Sequence, residues 1–178
     1  MKTQFNVPTR EEVSADNQVI LDQLKGALGM VPNLYATIAY SDTALGNYLT
    51  LQSGKTSLSK KEKEVINLVV SQVNNCEYCL AAHTMLGKMN GLTEAQTIEI
   101  RKGDVAFDQK LGALVKLTKA VSENRGRIDD AVLNQFFKAG YTKGSLVDVV
   151  ITIADKVVMN YLHNLTEVPV DFPAAPAL

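Results

Sequence analysis

Apolar residues recur at three- and four-residue spacing along almost the whole chain, and strand-type alternation is hard to find, so the pattern predicts an all-α protein. Ile20, Leu24, Ala27 and Leu28 mark a first helix, stopped by Gly29 ahead of Pro32. A short segment follows over residues 33–40, and Asp42 is placed to cap a helix carrying Leu45, Tyr48 and Leu49. Residues 52–56 read as a loop. Ser59 and Glu62 form a Ser-x-x-Glu capping box, each side chain satisfying a free backbone N–H at the head of a helix that runs through Val73. Val65, Ile66, Leu68, Val69 and Val70 wrap most of that helix in apolar side chains, which predicts a core position. Asn74-Asn75 interrupts the run, with Asn as the expected cap of the next helix. That helix carries Cys76, Cys79, Leu80, His83, Leu86 and Met89 and ends at Gly91.

Thr93 and Gln96 make a second capping box, on a short helix closed by Gly103. Leu111, Leu114, Val115, Thr118 and Val121 define a longer helix ending near Gly126. Asp129 caps one bearing Val132, Leu133, Phe136 and Phe137, with Gly140 as its stop. Thr142 opens the last long helix, through Val149, Val150, Ile153, Val157, Met159 and Tyr161. Pro169, Pro173 and Pro176 forbid further regular helix. Connections this short predict one helical domain over residues 1–167, followed by a Pro-rich tail over residues 168–178. A faint internal echo sets Leu58-Ser59-Lys60 against Tyr141-Thr142-Lys143 and Tyr78 against Tyr161, with Met159 and Leu162 opposite the two cysteines. It points to a duplicated helical unit with one active copy, or to chance likeness between two buried helices.

Composition narrows the function classes. With 178 residues, 46% of them hydrophobic, the chain can offset its conformational entropy by burial, so disorder is not expected. Eighteen Lys and Arg against 19 Asp and Glu leave a net charge of −1, which removes the electrostatic argument for nucleic acid or an anionic membrane as partner. The polar run Met1-Lys2-Thr3-Gln4-Phe5-Asn6, leading into Pro8, Arg10, Glu11 and Glu12, has no signal-peptide core. The most apolar stretch, residues 147–158, is interrupted by Asp148, Asp155 and Lys156, so it reads as a buried helix rather than a span of ~20 apolar residues. A cytoplasmic protein is expected. No G-x-G-x-x-G or Walker pattern occurs, and no cofactor is expected.

Two cysteines cannot form a secreted protein's disulfide framework, yet three of the four Cys and His residues crowd together: Cys76, Cys79 and His83. On a helix, residues three apart lie roughly 5–6 Å from one another, within reach of a disulfide. A loop that small stabilises a fold little, so the pair makes better sense as one that opens and closes. A helix N-terminus favours thiolate, and His83, one turn beyond Cys79, can take or return its proton. The helix dipole alone selects Cys76 as the attacking thiol; the His83 spacing selects Cys79. Two buried cysteines acting as small hydrophobes remain open, as does a zinc site completed by His163 or Glu64, although no second ligand pair is present. On charge alone Glu64, among Lys60, Lys61 and Lys63, reads as a solvated surface carboxylate.

Glu64, Cys76, Cys79 and His83 together read E-x11-C-x-x-C-x3-H, followed by Gly91 and the Thr93-Glu94-Ala95 turn. This motif, over residues 59–95, resembles the core signature of the AhpD-like alkylhydroperoxidases within the carboxymuconolactone decarboxylase family. Gly29-Met30-Val31-Pro32-Asn33-Leu34 and Glu123-Asn124-Arg125-Gly126-Arg127 are similar to its peroxidase-related branch. The resemblance implies an AhpD-like helical bundle, a homo-oligomer (trimer or hexamer), and reduction of hydroperoxides by a cysteine pair. Carried onto this chain, it makes Cys79 the peroxidatic thiol, Cys76 the resolving thiol, and Glu64 with His83 a proton relay, with Glu64 packed inward beside His83. An external dithiol, or a reductase protein carrying one, would regenerate the pair. Tyr78 stands where some members have His, so the resemblance does not carry that residue's auxiliary proton-transfer role onto this chain. The rival functions are a thiol–disulfide oxidoreductase acting on a protein partner, a decarboxylase-type member without peroxidase activity, and a non-enzymatic oligomeric scaffold.

Overall fold

The computed structural model describes residues 5–178, so residues 1–4 of the polar N-terminal run lie outside the described residues. Helix is the only regular structure among the described residues: a 3-10 turn at Arg10–Glu12, then α1 (Ala15–Leu28), α2 (Asn33–Ile38), α3 (Ala44–Gln52), α4 (Lys60–Val73), α5 (Glu77–Met89), α6 (Glu94–Lys102), α7 (Gln109–Glu123), α8 (Asp130–Lys138) and α9 (Lys143–Thr166). None of the helices is long and apolar enough to cross a membrane. Two compact units are present, one comprising Met1–Lys55 with Leu162–Asp171 and the other Thr56–Tyr161 with Phe172–Leu178.

In the first unit, α1 begins earlier than its apolar pattern suggests, because Ser14 caps it by accepting from the Asn17 N–H. Its buried residues are Asn17 and Leu21, while Leu28 is exposed. The Asn17 amide donates to the Ala39 and Ser41 carbonyls and so ties α1 to the end of α2. Asp42 is not a cap: α3 starts after Thr43, which makes no side-chain cap bond, and the Ser41 hydroxyl accepts from Ala44 N–H instead. Asp171 accepts from the Asn33 N–H at 2.7 Å, at the head of α2.

The second unit is built around α4. Its capping box forms as the sequence predicts, with Ser59 and Glu62 exchanging hydrogen bonds. The remaining Glu62 oxygen accepts from the Tyr141 hydroxyl at 2.9 Å and faces the Lys110 ammonium at 3.3 Å, so the box also joins α4 to the start of α9. Val65, Ile66, Leu68, Val69 and Val70 are all buried, and α5, α6 and α7 pack around them. Phe136 from α8 closes this core, fully buried and stacked on Tyr141 with ring centroids 4.4 Å apart. Phe136→Ala is expected to lower the unfolding free energy by about 3–5 kcal/mol, read from urea denaturation, because the site can collapse only partly around the void. A loss under about 1 kcal/mol would show that the stack contributes no more than ordinary surface packing.

Helix ends as expected past Thr166, yet the segment that follows is held down. In the second unit the Phe172 ring stands edge-on to Tyr78 (5.4 Å between centroids), and the Pro176 carbonyl accepts from Arg101, whose Nε donates to Gln72. The internal echo differs in form between its two halves, since α9 runs without interruption through the positions where α4 gives way to α5.

Candidate active site

The break between α4 and α5 shapes the site. Asn74 closes α4, and Asn75 takes a left-handed conformation (φ 51°), which Asn tolerates better than most residues. Neither asparagine caps α5. Cys76 does, its Sγ accepting from the Cys79 N–H at 3.4 Å while its own N–H donates to the Ser71 carbonyl. The expected Asn cap is displaced because the left-handed residue turns the chain one step earlier, leaving Cys76 in the extended conformation that an N-cap requires. Cys79 therefore lies in the first turn of α5, where free N–H groups favour negative charge. Both cysteines are free thiols, 0% and 2% exposed.

The turn folds α5 back along α4, which brings Glu64 against His83. The His83 Nδ1 and Glu64 Oε2 atoms are 2.7 Å apart in a buried hydrogen bond. With Glu64 ionised, Nδ1 carries the hydrogen, which leaves Nε2 of the neutral ring as proton acceptor. Burial alone would raise the Glu64 carboxyl, but the His83 charge and hydrogen bond, the Lys156 charge and the Asn67 amide outweigh it and hold the group below its ordinary range.

The two thiols are driven apart. The Cys76 S–H donates to the Cys79 sulfur, and this contact lowers Cys79 to about 6 against the cost of burial, helped by Lys156, His83 and the Asn160 amide. The same contact, with burial, pushes Cys76 far above the ordinary thiol range. Lys156 and Asn160 both come from α9, one turn apart, and are 2% and 0% exposed. Asn160 Nδ2 donates to the Ser71 hydroxyl at 3.2 Å and its Oδ1 accepts from Asn74 at 3.0 Å, fixing this face of α9 against the α4–α5 break.

Cys76, Cys79, His83 and Glu64 are thus gathered in one buried cluster. Met89, further along α5, is 75% exposed and has no part in it. Tyr78, between the cysteines, is buried against Phe172. His163 is engaged elsewhere, its Nε2 3.1 Å from the Val168 carbonyl. Among the described residues no three His, Cys, Asp or Glu side chains are placed to hold a metal ion. Lys156 and Asn160 were not among the residues that sequence reasoning singled out. The signal was present in the charged interruptions of the apolar run over residues 147–158, because a lysine inside a buried helix needs a partner.

The fold and sequence both have counterparts among known proteins. The carboxymuconolactone decarboxylase family model matches residues 41–123, a span that contains all four motif residues. No curated protein sequence matches the chain. Among solved structures, the chain is similar to an uncharacterized peroxidase-related protein from Silicibacter sp. TM1040 (TM-score 0.82, 20% identity, covering 97% of this chain and 92% of that one). It is also similar to an uncharacterized peroxidase-related protein, described as an alkylhydroperoxidase AhpD core, from Ralstonia eutropha JMP134 (TM-score 0.81, 18% identity, covering 92% and 90%). A third likeness is to the debrominase Bmp8, solved as a Cys-to-Ala variant with 2,3,4-tribromopyrrole (TM-score 0.77, 12% identity, covering 96% and 94%). At these identities the structural likeness speaks for the fold alone, so the chain has an AhpD-like helical fold whose residues 41–123 are similar to the carboxymuconolactone decarboxylase family.

Proposed function

We propose that this protein is a thiol-dependent peroxidase that reduces hydroperoxides, organic ones in particular, through Cys79 and Cys76. The observation that carries the reading is the division between the thiols: one hydrogen bond lowers Cys79 and raises Cys76, beside a Glu64–His83 pair able to move a proton. The Cys79 thiolate attacks the terminal oxygen of ROOH, the O–O bond breaks, and the departing alkoxide takes a proton from the His83 imidazolium. The products are ROH and a sulfenic acid on Cys79. Cys76 sulfur then displaces the sulfenic hydroxyl, its own proton leaving with that group as water, to give the Cys76–Cys79 disulfide. An external dithiol, free or carried by a reductase protein, returns two hydrogens by exchange. This cycle suits a reducing compartment such as the cytoplasm, where a dithiol donor is available.

Adding one equivalent of cumene hydroperoxide to the reduced protein tests the reading. Expected are loss of both free thiols, one equivalent of cumyl alcohol and a protein mass lower by the two thiol hydrogens. Intact hydroperoxide with both thiols still titratable would overturn it. Rapid reaction with a protein disulfide, or with a bromopyrrole as the likeness to Bmp8 suggests, would then mark the replacement.

The active form we propose is a homo-oligomer, a trimer or hexamer. On α9, Val147, Ile151, Val158 and Tyr161 repeat at helical spacing and are 61%, 47%, 49% and 55% exposed, a stripe that a second copy of the same chain would cover. Sedimentation velocity is expected to show the oligomer for the wild type and a monomer for Ile151→Glu/Val158→Glu. A wild-type monomer at micromolar concentration would end this reading.

A further inference from the structure

Lys156 has no place in the motif and none in the reaction as written above. It is nevertheless among the most deeply buried charged side chains of the described residues, at 2% exposed. Burying an unpaired ammonium is strongly unfavourable, so its surroundings should supply compensating negative charge. They do. One turn further along α9, Asn160 is bonded to Ser71 of α4 and to Asn74 at the break leading into Cys76, which sets the same face of α9, and the buried Lys156 with it, against the cluster. A cation there accords with the lowered Glu64 carboxyl and Cys79 thiol. Asp155 precedes Lys156, but adjacent helical side chains point in different directions.

We propose that Lys156 is a positioning residue of this site, the fixed cation that keeps the buried Glu64–His83–Cys79 cluster electrically neutral while a proton moves between Cys79 and His83. The charges can be followed through the step. With Cys79 a thiol and His83 neutral, Glu64 and Lys156 balance. When the proton passes to His83, thiolate and carboxylate face imidazolium and ammonium, and the sum is again zero. After the alkoxide leaves with the proton, sulfenic acid and neutral imidazole restore the first balance. Without Lys156 each of these states carries one uncompensated negative charge inside the protein, and the thiolate is the form that suffers. The groups acting on Cys79 are Cys76 and His83 from its own segment and Lys156 and Asn160 from α9, with Glu64 of α4 standing behind His83. Of these only Lys156 brings a positive charge that does not depend on the moving proton.

The destination of the proton rests on the peroxidase reading, whereas the cationic role does not, so the deciding measurement is made without hydroperoxide. Alkylation of the reduced protein by iodoacetamide is followed from pH 4 to 9, with mass spectrometry assigning the label to Cys79. Lys156→Met is expected to raise the midpoint by about one to three pH units, as befits loss of an adjacent opposite charge, and Lys156→Arg to leave it near the wild-type value. Should Lys156→Met fail to fold, Lys156→Gln against Lys156→Arg makes the same comparison. An unmoved midpoint in a folded, charge-deleted variant overturns the proposal and leaves Lys156 a packing residue. Absence of peroxide turnover in the wild type, with the midpoint shift intact, would overturn the peroxidase reading alone.

Discussion

Cys79→Ser is expected to reduce hydroperoxide consumption to the uncatalysed background, whereas Cys76→Ser completes a single turnover and stops with a sulfenic acid on Cys79. The asymmetry follows from the contact between the thiols. In the first variant the contact with the Cys79 sulfur is gone, but the remaining thiol is fully buried, and burial by itself still raises Cys76 and disfavours the thiolate that attack on the O–O bond requires. In the second, a serine hydroxyl at position 76 can still donate to the Cys79 sulfur and preserve most of its lowered range, but it cannot form a disulfide. Cys76→Ala removes that donor as well and should move the alkylation midpoint of Cys79 upward. Trapping the sulfenic acid with dimedone, followed by mass spectrometry, reads both results. Continued turnover in Cys79→Ser, with oxidation on Cys76, would reverse the roles in favour of the thiol that the helix dipole alone selects.

His83→Gln and Glu64→Gln carry the second large effect, because each breaks a buried pair whose members are 2.7 Å apart. Loss of the relay is expected to lower kcat/KM by about 10²–10⁴-fold, the usual contribution of a positioned acid–base group. His83→Gln leaves the Glu64 carboxylate buried with only Lys156 and Asn67 to answer it, and removing one partner of a buried pair costs about 3–5 kcal/mol of stability. Glu64→Gln should be milder, since the amide removes the charge that needs compensation. The pH dependence fixes the sign. Because the Glu64 carboxyl is lowered in the folded protein, its contribution to stability is present above the ordinary carboxyl range and is lost as the pH falls through the lowered value. The stability gap between wild type and His83→Gln should therefore be full near neutrality and close in acid. A gap independent of pH, with kcat/KM retained in both variants, would remove the pair from the mechanism.

Much of this architecture is legible without coordinates, for reasons that differ from place to place. The capping boxes of Ser59 with Glu62 and Thr93 with Gln96, and the glycine stops at Gly29 and Gly103, act within one helical turn, so local sequence suffices to predict them. Asn75 misled because its left-handed turn and a cap are both ordinary uses of asparagine, and only the path of the chain chooses between them. Asp42 misled similarly, since a capping side chain needs the backbone to present it at the helix head. Glu64 reads as solvated from its lysine-rich surroundings. Its inward orientation depends on the turn at residues 74–76, which no pattern local to α4 contains.

Sequence alone determined the helical class, the helix boundaries to within a few residues and the spacing that puts Cys76, Cys79 and His83 on one helix, because these depend on contacts a few residues apart. Tertiary structure alone decided that Cys79 is lowered and Cys76 raised, that Glu64 meets His83, and that Lys156 and Asn160 from a helix some eighty residues away lie beside them. The physical reason is that charge in a buried site is set by everything packed around it, and burial and neighbouring charge are properties of three-dimensional packing rather than of spacing along the chain.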